Sequence, residues 1–129
     1  MMDITAIHHI AIITTNYQVS KTFYTSVLGF TIIAETYRSE RESYKLDLAI
    51  NGLYQVELFS FPEAKERASY PEAKGLRHLA FAVKDIQQAF DHLQQHSVTP
   101  QPIRVDELTG KKFFFFYDPD GQPLEMYEQ

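Results

Sequence analysis

Four side chains in this 129-residue sequence have the types and spacing of a divalent-metal site: His9, Glu57, His78 and Glu125. Imidazole nitrogen and carboxylate oxygen suit borderline ions such as zinc, nickel, cobalt, iron(II) and manganese. Two carboxylates neutralise such an ion. Four protein ligands leave open positions for water or for two oxygens of a substrate. An ion held in this way is a Lewis acid able to stabilise an enediolate, and a carboxylate beside it can move a proton. The sequence has no cysteine, which excludes disulfides, thiolate zinc sites and cysteine nucleophiles.

The spacing carries the argument, because a lone histidine in a strand is usually an ordinary core or surface residue. His9 and Glu57 are 48 residues apart, and His78 and Glu125 are 47 apart. Each histidine stands seven residues before a helix-capping residue, Asn16 or Asp85. The chain is thus an internal repeat. In the first copy, residues 6–13 read as a strand, 16–29 as a helix ended by Gly29, and 30–37 as a strand. Residues 46–50 and 54–61 then flank the hairpin signal Asn51-Gly52. In the second, residues 76–83 read as a strand and 85 onward as a helix. Residues 99–105 form an edge strand delayed by Pro100 and Pro102, and 112–117 and 123–127 flank Asp118-Pro119-Asp120-Gly121. The fold class expected is α+β: two tandem βαβββ modules forming a curved mixed sheet. One domain spans 1–129, with module 1 at about 4–61, a charged linker at 62–75 and module 2 at about 76–129.

Strand alternation tests whether the four side chains can converge, since residues two apart share a face. Ala11 and Ile13 share the face of His9; Ala80 and Ala82 that of His78; Gln55 and Phe59 that of Glu57; Pro123 and Tyr127 that of Glu125. The opposite faces are apolar and fit to pack on helices. Phe59, Phe61, Tyr127 and half of residues 113–116 are candidates to line an apolar substrate pocket. Arg104, Lys111, Lys112 and Arg38 are candidates to hold an anionic substrate tail. His8 faces away from His9. His92 and His96, four apart on a helix, read as a solvated face.

Composition sets the outer limits. Hydrophobic residues are 44% and charged residues 22%, the balance of a folded domain, and the net charge is −5. No basic footprint for nucleic acid or an anionic membrane exists. The longest apolar run, 113–117, has five residues, far below the ~20 that span a bilayer. No targeting pattern is visible in Met1-Met2-Asp3, so a cytoplasmic protein acting on a small molecule is expected.

The stretches HHIAIITTNYQVSKTFYTSVLGF, YQVELFSF, GLRHLAFAV and FFFFYDPDGQPLEMYE resemble the vicinal oxygen chelate superfamily, in particular small bacterial glyoxalase I-like (lactoylglutathione lyase-like) proteins. The resemblance covers both modules. It implies a U-shaped sheet around one divalent metal per site, zinc or nickel foremost, with His9, Glu57, His78 and Glu125 as ligands. It implies a lyase or isomerase acting on a small carbonyl compound, with Glu125 as the base and Glu57 as its opposite number. It also implies a homodimer sharing ligands between subunits.

Two positions depart from bacterial glyoxalase I. Ile13 stands where an arginine holds the glutathione carboxylate, and Phe61 where an asparagine is typical. Weak activity on the glutathione hemithioacetal is therefore expected. Fosfomycin-modifying enzymes of the superfamily lack a glutamate at the position of Glu57, methylmalonyl-CoA epimerases usually place glutamine there, and extradiol dioxygenases use two histidines and one glutamate around iron(II), so Glu57 argues against all three. The alternative from another class is a non-catalytic small-molecule-binding member.

Overall fold

The computed structural model describes all of residues 1–129. The chain divides into two compact units, Met1–Lys65 and Glu66–Gln129, the division falling inside the 62–75 stretch.

In the first unit β1 (Ile10–Thr14) leads into α1 (Tyr17–Thr22), followed by β2 (Thr31–Arg38), β3 (Ser43–Ile50) and β4 (Leu53–Ser60). The sheet order is β1-β4-β3-β2, with β1 parallel to β4 and the other pairs antiparallel. Asn16 caps α1 as its sequence position implies, its Oδ1 accepting from the Val19 amide at 3.3 Å. The helix does not run regularly to Gly29. From Phe23 to Val27 it widens into a π-helical turn closed by Leu28 N–H to Phe23 O at 3.0 Å. Gly29, at φ +79°, then takes the left-handed conformation that ends it. Asn51 and Gly52, both at positive φ, make the tight hairpin between Ile50 and Leu53.

The second unit repeats the plan with β5 (Leu79–Val83), α2 (Ile86–Gln95), β6 (Arg104–Val105), β7 (Lys112–Tyr117) and β8 (Pro123–Glu128), in the order β5-β8-β7-β6. Asp85 caps α2 through the Gln88 amide at 3.0 Å. The strand expected over 99–105 shrinks to two residues, because prolines at 100 and 102 offer no N–H to a ladder. At the β7–β8 turn Asp118 Oδ1 accepts from the Asp120 and Gln122 amides, each at 2.9 Å.

In each unit the core lies on one face of that unit's own sheet. Ile12, Leu46, Leu48, Val56 and Leu58 are buried in the first unit, and Phe114, Phe116, Leu124, Ile86 and Leu93 in the second. In α2, Phe90 stands edge-to-face on Phe114, with ring centroids 5.4 Å apart. Burying each such side chain is worth about 1.5–3 kcal/mol.

The linker is less free than its charge suggests. It forms no helix or strand, yet from Glu66 onward it belongs to the second unit, and Arg67 ties it there. Arg67 Nη1 donates to Gln122 Oε1 at 3.1 Å and Nη2 to the Arg77 carbonyl at 2.8 Å.

Candidate metal centre

The two histidines sit one residue before β1 and β5, not within them. The parallel ladders begin at Ile10↔Val56 and Leu79↔Leu124. The next partner of the second ladder would be Pro123, which has no N–H to donate. In the first unit Gln55 is an extra residue in a β-bulge: Leu48 pairs with Val56, but Ala49 with Tyr54. Both ladders then set the glutamates alike, with Ala11↔Glu57 and Ala80↔Glu125. Each histidine, two residues before its alanine, reaches its own glutamate. His9 Nε2 is 3.5 Å from Glu57 Oε2, and His78 Nε2 is 3.2 Å from Glu125 Oε1.

The first pair lies in a polar nest. Glu57 is 8% exposed, and its neighbours along β4, Val56 at 1% and Leu58 at 0%, face the core on the other side of the sheet. Tyr54 shares its hydroxyl hydrogen between Glu57 Oε2 and Asp47 Oδ1, the latter at 3.0 Å. Lys45 Nζ lies 2.7 Å from Asp47 Oδ1 and 3.7 Å from Glu57 Oε2. The bulge makes this possible. Strict alternation would put Gln55 on the face of Glu57; the extra residue brings Tyr54 there instead. The Tyr54 phenol is pushed well above its ordinary pKa, first by burial, then by its bonds to the two carboxylates. The hydrogen bond to Asp47 holds the Lys45 ammonium above its usual value. His8, expected to face away from His9, instead meets it, because both residues precede β1 and strand alternation does not govern them: His9 Nδ1 is 2.8 Å from His8 Nδ1, a contact that needs a proton on one of the two nitrogens. With that proton on His9, its Nε2 lone pair faces Glu57.

The second pair lies among rings. Phe115, opposite Glu125 across β7–β8, meets the His78 ring edge-on at 5.0 Å. His78 Nδ1 is buried and has no hydrogen-bond partner. His78 and Phe115 also line a cleft of about 400 Å³ in this unit.

The profile of the Glyoxalase/Bleomycin resistance protein/Dioxygenase superfamily matches residues 6–126. The chain belongs to this superfamily. It is 59% identical over 129 residues to Uncharacterized protein YaeR of Escherichia coli strain K12, covering 100% of both chains. It is 25% identical to Metallothiol transferase FosB of Staphylococcus epidermidis, over 98% of this chain and 83% of that protein. The crystal structure of a glyoxalase family protein from Enterococcus faecalis matches with TM-score 0.89 and 47% identity, over 95% of this chain and 97% of the other.

The donor chemistry of the two pairs fits a superfamily metal. Two donors on adjacent positions of one ion, each ~2.0–2.2 Å from it, stand about 2.8–3.6 Å apart. Both His–Glu separations lie in that range. Within either unit no group of three or more histidine or acidic side chains has the geometry to hold an ion.

The other candidates are scattered. Phe59 and Phe61 stack at 6.3 Å under the Arg38 guanidinium, which is 4.8 and 5.8 Å from their centres. Tyr127 lies over Phe113 at 6.2 Å and donates to Asp106 Oδ2 at 2.9 Å. Arg104 lies over Phe113 and Phe115 at 5.0 and 5.8 Å and lines the cleft. Lys111 Nζ is tied to the Gln129 carbonyl at 2.9 Å and is not among the cleft residues. Lys45, Asp47 and Tyr54 escaped sequence reasoning. The Asn-Gly hairpin implied that β3 faces β4, but only the bulge sets Asp47, rather than its neighbours, opposite Glu57.

Proposed function

We propose that the protein is a metal-dependent lyase or isomerase of glyoxalase I type, in which His9, Glu57, His78 and Glu125 hold one divalent ion and a small carbonyl compound is the substrate. The observation that carries this is the repeated geometry. Two modules of the same topology each set a histidine nitrogen 3.2–3.5 Å from a glutamate oxygen, at the same register position. Half a set per module means that a complete set joins a first-module pair to a second-module pair, from one chain or from two copies in a homodimer. The ion supplies Lewis-acid polarisation of a carbonyl oxygen.

The protein's own residues divide the remaining work. Glu57, fixed by Tyr54 and facing the Lys45 ammonium, is suited to holding negative charge in place. Glu125, opposite a phenylalanine, has its oxygens less committed and is suited to taking a proton from carbon beside the carbonyl and returning it to the neighbouring atom. Ile13, on the open face of β1 at 54% exposure, offers apolar surface where a glutathione carboxylate would need a cation. This favours substrates other than the glutathione hemithioacetal. The cleft beside His78 favours a second reading, a non-catalytic small-molecule-binding member of the superfamily.

Metal analysis tests the proposal. The wild-type protein loaded with zinc or nickel should retain about one ion per four-ligand set, and His9→Ala and His78→Ala should each lose it. In a dimer with shared sites, subunit exchange between the two variants should restore part of the metal. Failure of the wild-type protein to hold any divalent ion, or full retention in both variants, overturns the proposal.

A further inference from the structure

We infer that the cleft of the second unit is an oxyanion site, which takes a small molecule bearing a phosphate, phosphonate or carboxylate group and directs its other end toward His78. Only the role of His78 rests on the function proposed above. The cleft, of about 400 Å³, has the size of a small-ligand pocket. Arg67, Arg77 and Arg104 line it, three of the five arginines in a chain of net charge −5. Glu72, the lone carboxylate of the lining, stands 3.6 Å from Arg77 Nη2. The positive charge is therefore mostly uncompensated within the cleft.

Each arginine contributes differently. Arg67 is fixed: its Nη atoms are committed to Gln122 and to the carbonyls of Leu76 and Arg77, and its Nε is buried without a partner. It supplies a stationary, partly desolvated charge. Arg104 makes no ion pair and lies on the faces of Phe113 and Phe115. The two ring contacts hold the guanidinium while its N–H groups have no acceptor in the protein, and a guanidinium can give an oxyanion two parallel hydrogen bonds. Arg77 is exposed, and its ion pair with Glu72 is long, so it can turn onto a ligand. Phe115, on the wall between Arg104 and His78, provides apolar surface for the body of the molecule.

Phenylphosphonate carries both an oxyanion and an apolar body. Calorimetric titration of the metal-free, full-length protein with it should show saturable one-to-one binding that inorganic phosphate competes away and added salt weakens. Arg104→Gln and Arg77→Gln, both at exposed positions, should each lower affinity about tenfold or more. Glu72→Gln should raise affinity a few-fold by removing the competing carboxylate, an effect that a purely structural role would not produce. Arg41→Gln, an exposed change in the first unit, should leave binding unchanged. Circular dichroism checks that each variant is folded. Absence of saturable binding by the wild-type protein overturns the inference, as does wild-type affinity in both cleft variants or an equal loss in Arg41→Gln. Phosphonate binding by a protein that holds no divalent metal would refute the proposed function and leave this site standing. Metal binding without phosphonate binding would do the reverse.

Discussion

Glu57 and Glu125 occupy the same register position in two modules of one topology, but the strand opposite each gives it a different environment. Across from Glu57 stands Asp47, with Lys45 two residues away; across from Glu125 stands Phe115, with Phe113 in the place of Lys45. Each opposing pair is ten residues apart in sequence, reached in one case by a two-residue turn plus a bulge and in the other by the longer Asp118–Gln122 turn. The same division appears on the core face, where Leu46 and Leu48 of the first unit answer to Phe114 and Phe116 of the second, all 0% exposed. Backbone register thus delivers the same His–Glu pair twice, while the side chains of the neighbouring strand set its electrostatics. A carboxylate given a phenol donor and a nearby ammonium is held in place. A carboxylate facing rings keeps its oxygens available.

The comparison breaks most visibly at the glutamates. With a carbonyl substrate that the protein turns over, Glu125→Gln should lower kcat by about 10²–10⁴-fold, the range for a lost general base, while retaining much of the metal. Glu57→Gln should cost less in kcat at equal metal occupancy. Equal losses, or none in Glu125→Gln, would mean that the two environments do not divide the roles.

Packing tests the same contrast on the other face of the sheet. Phe114→Ala should destabilise the protein by about 3–5 kcal/mol in urea unfolding, and Leu46→Ala by about 2–5 kcal/mol. Phe113→Ala, on the half-buried face, should cost clearly less than Phe114→Ala. If Phe113 and Phe114 cost the same, β7 does not separate a core face from a site face.

The smallest effect concerns a clasp found in the first unit. Glu35 on β2 accepts from Tyr17 and pairs with Lys21 at 2.7 Å, joining α1 to the sheet edge; β6, with two residues, has no counterpart. Lys21 and then Tyr17 hold the Glu35 carboxyl below its ordinary range. Its stabilisation is therefore present above the ordinary carboxylate pKa and is lost as pH falls through the lowered one. Glu35→Gln should cost up to about 1 kcal/mol at neutral pH, and the gap from wild type should close in strong acid. A gap that does not change between these conditions would remove the carboxylate from the explanation.

Much of the plan was legible in the sequence because it is written in short-range signals. Asn16 and Asp85 cap helices through their own side chains, Asn51-Gly52 turns a hairpin at positive φ, and alternation along β1, β5 and β7 separates two faces. The internal repeat then paired His9 with Glu57 and His78 with Glu125, since spacings of 48 and 47 residues in modules of one plan point to the same register. Three things required the tertiary structure. The bulge at Gln55 has no signature in a run of strand-forming residues, yet it brings Tyr54 to Glu57 and sets Asp47 opposite it. The start of each first strand depended on where its parallel partner could donate hydrogen bonds. The arginine cleft gathers Arg67, Arg77 and Arg104 from separate parts of the chain, one of them in a stretch that reads as a linker. Local propensity fixes which elements form; which distant side chains meet is decided by strand pairing and loop docking, whose energies belong to the folded chain as a whole.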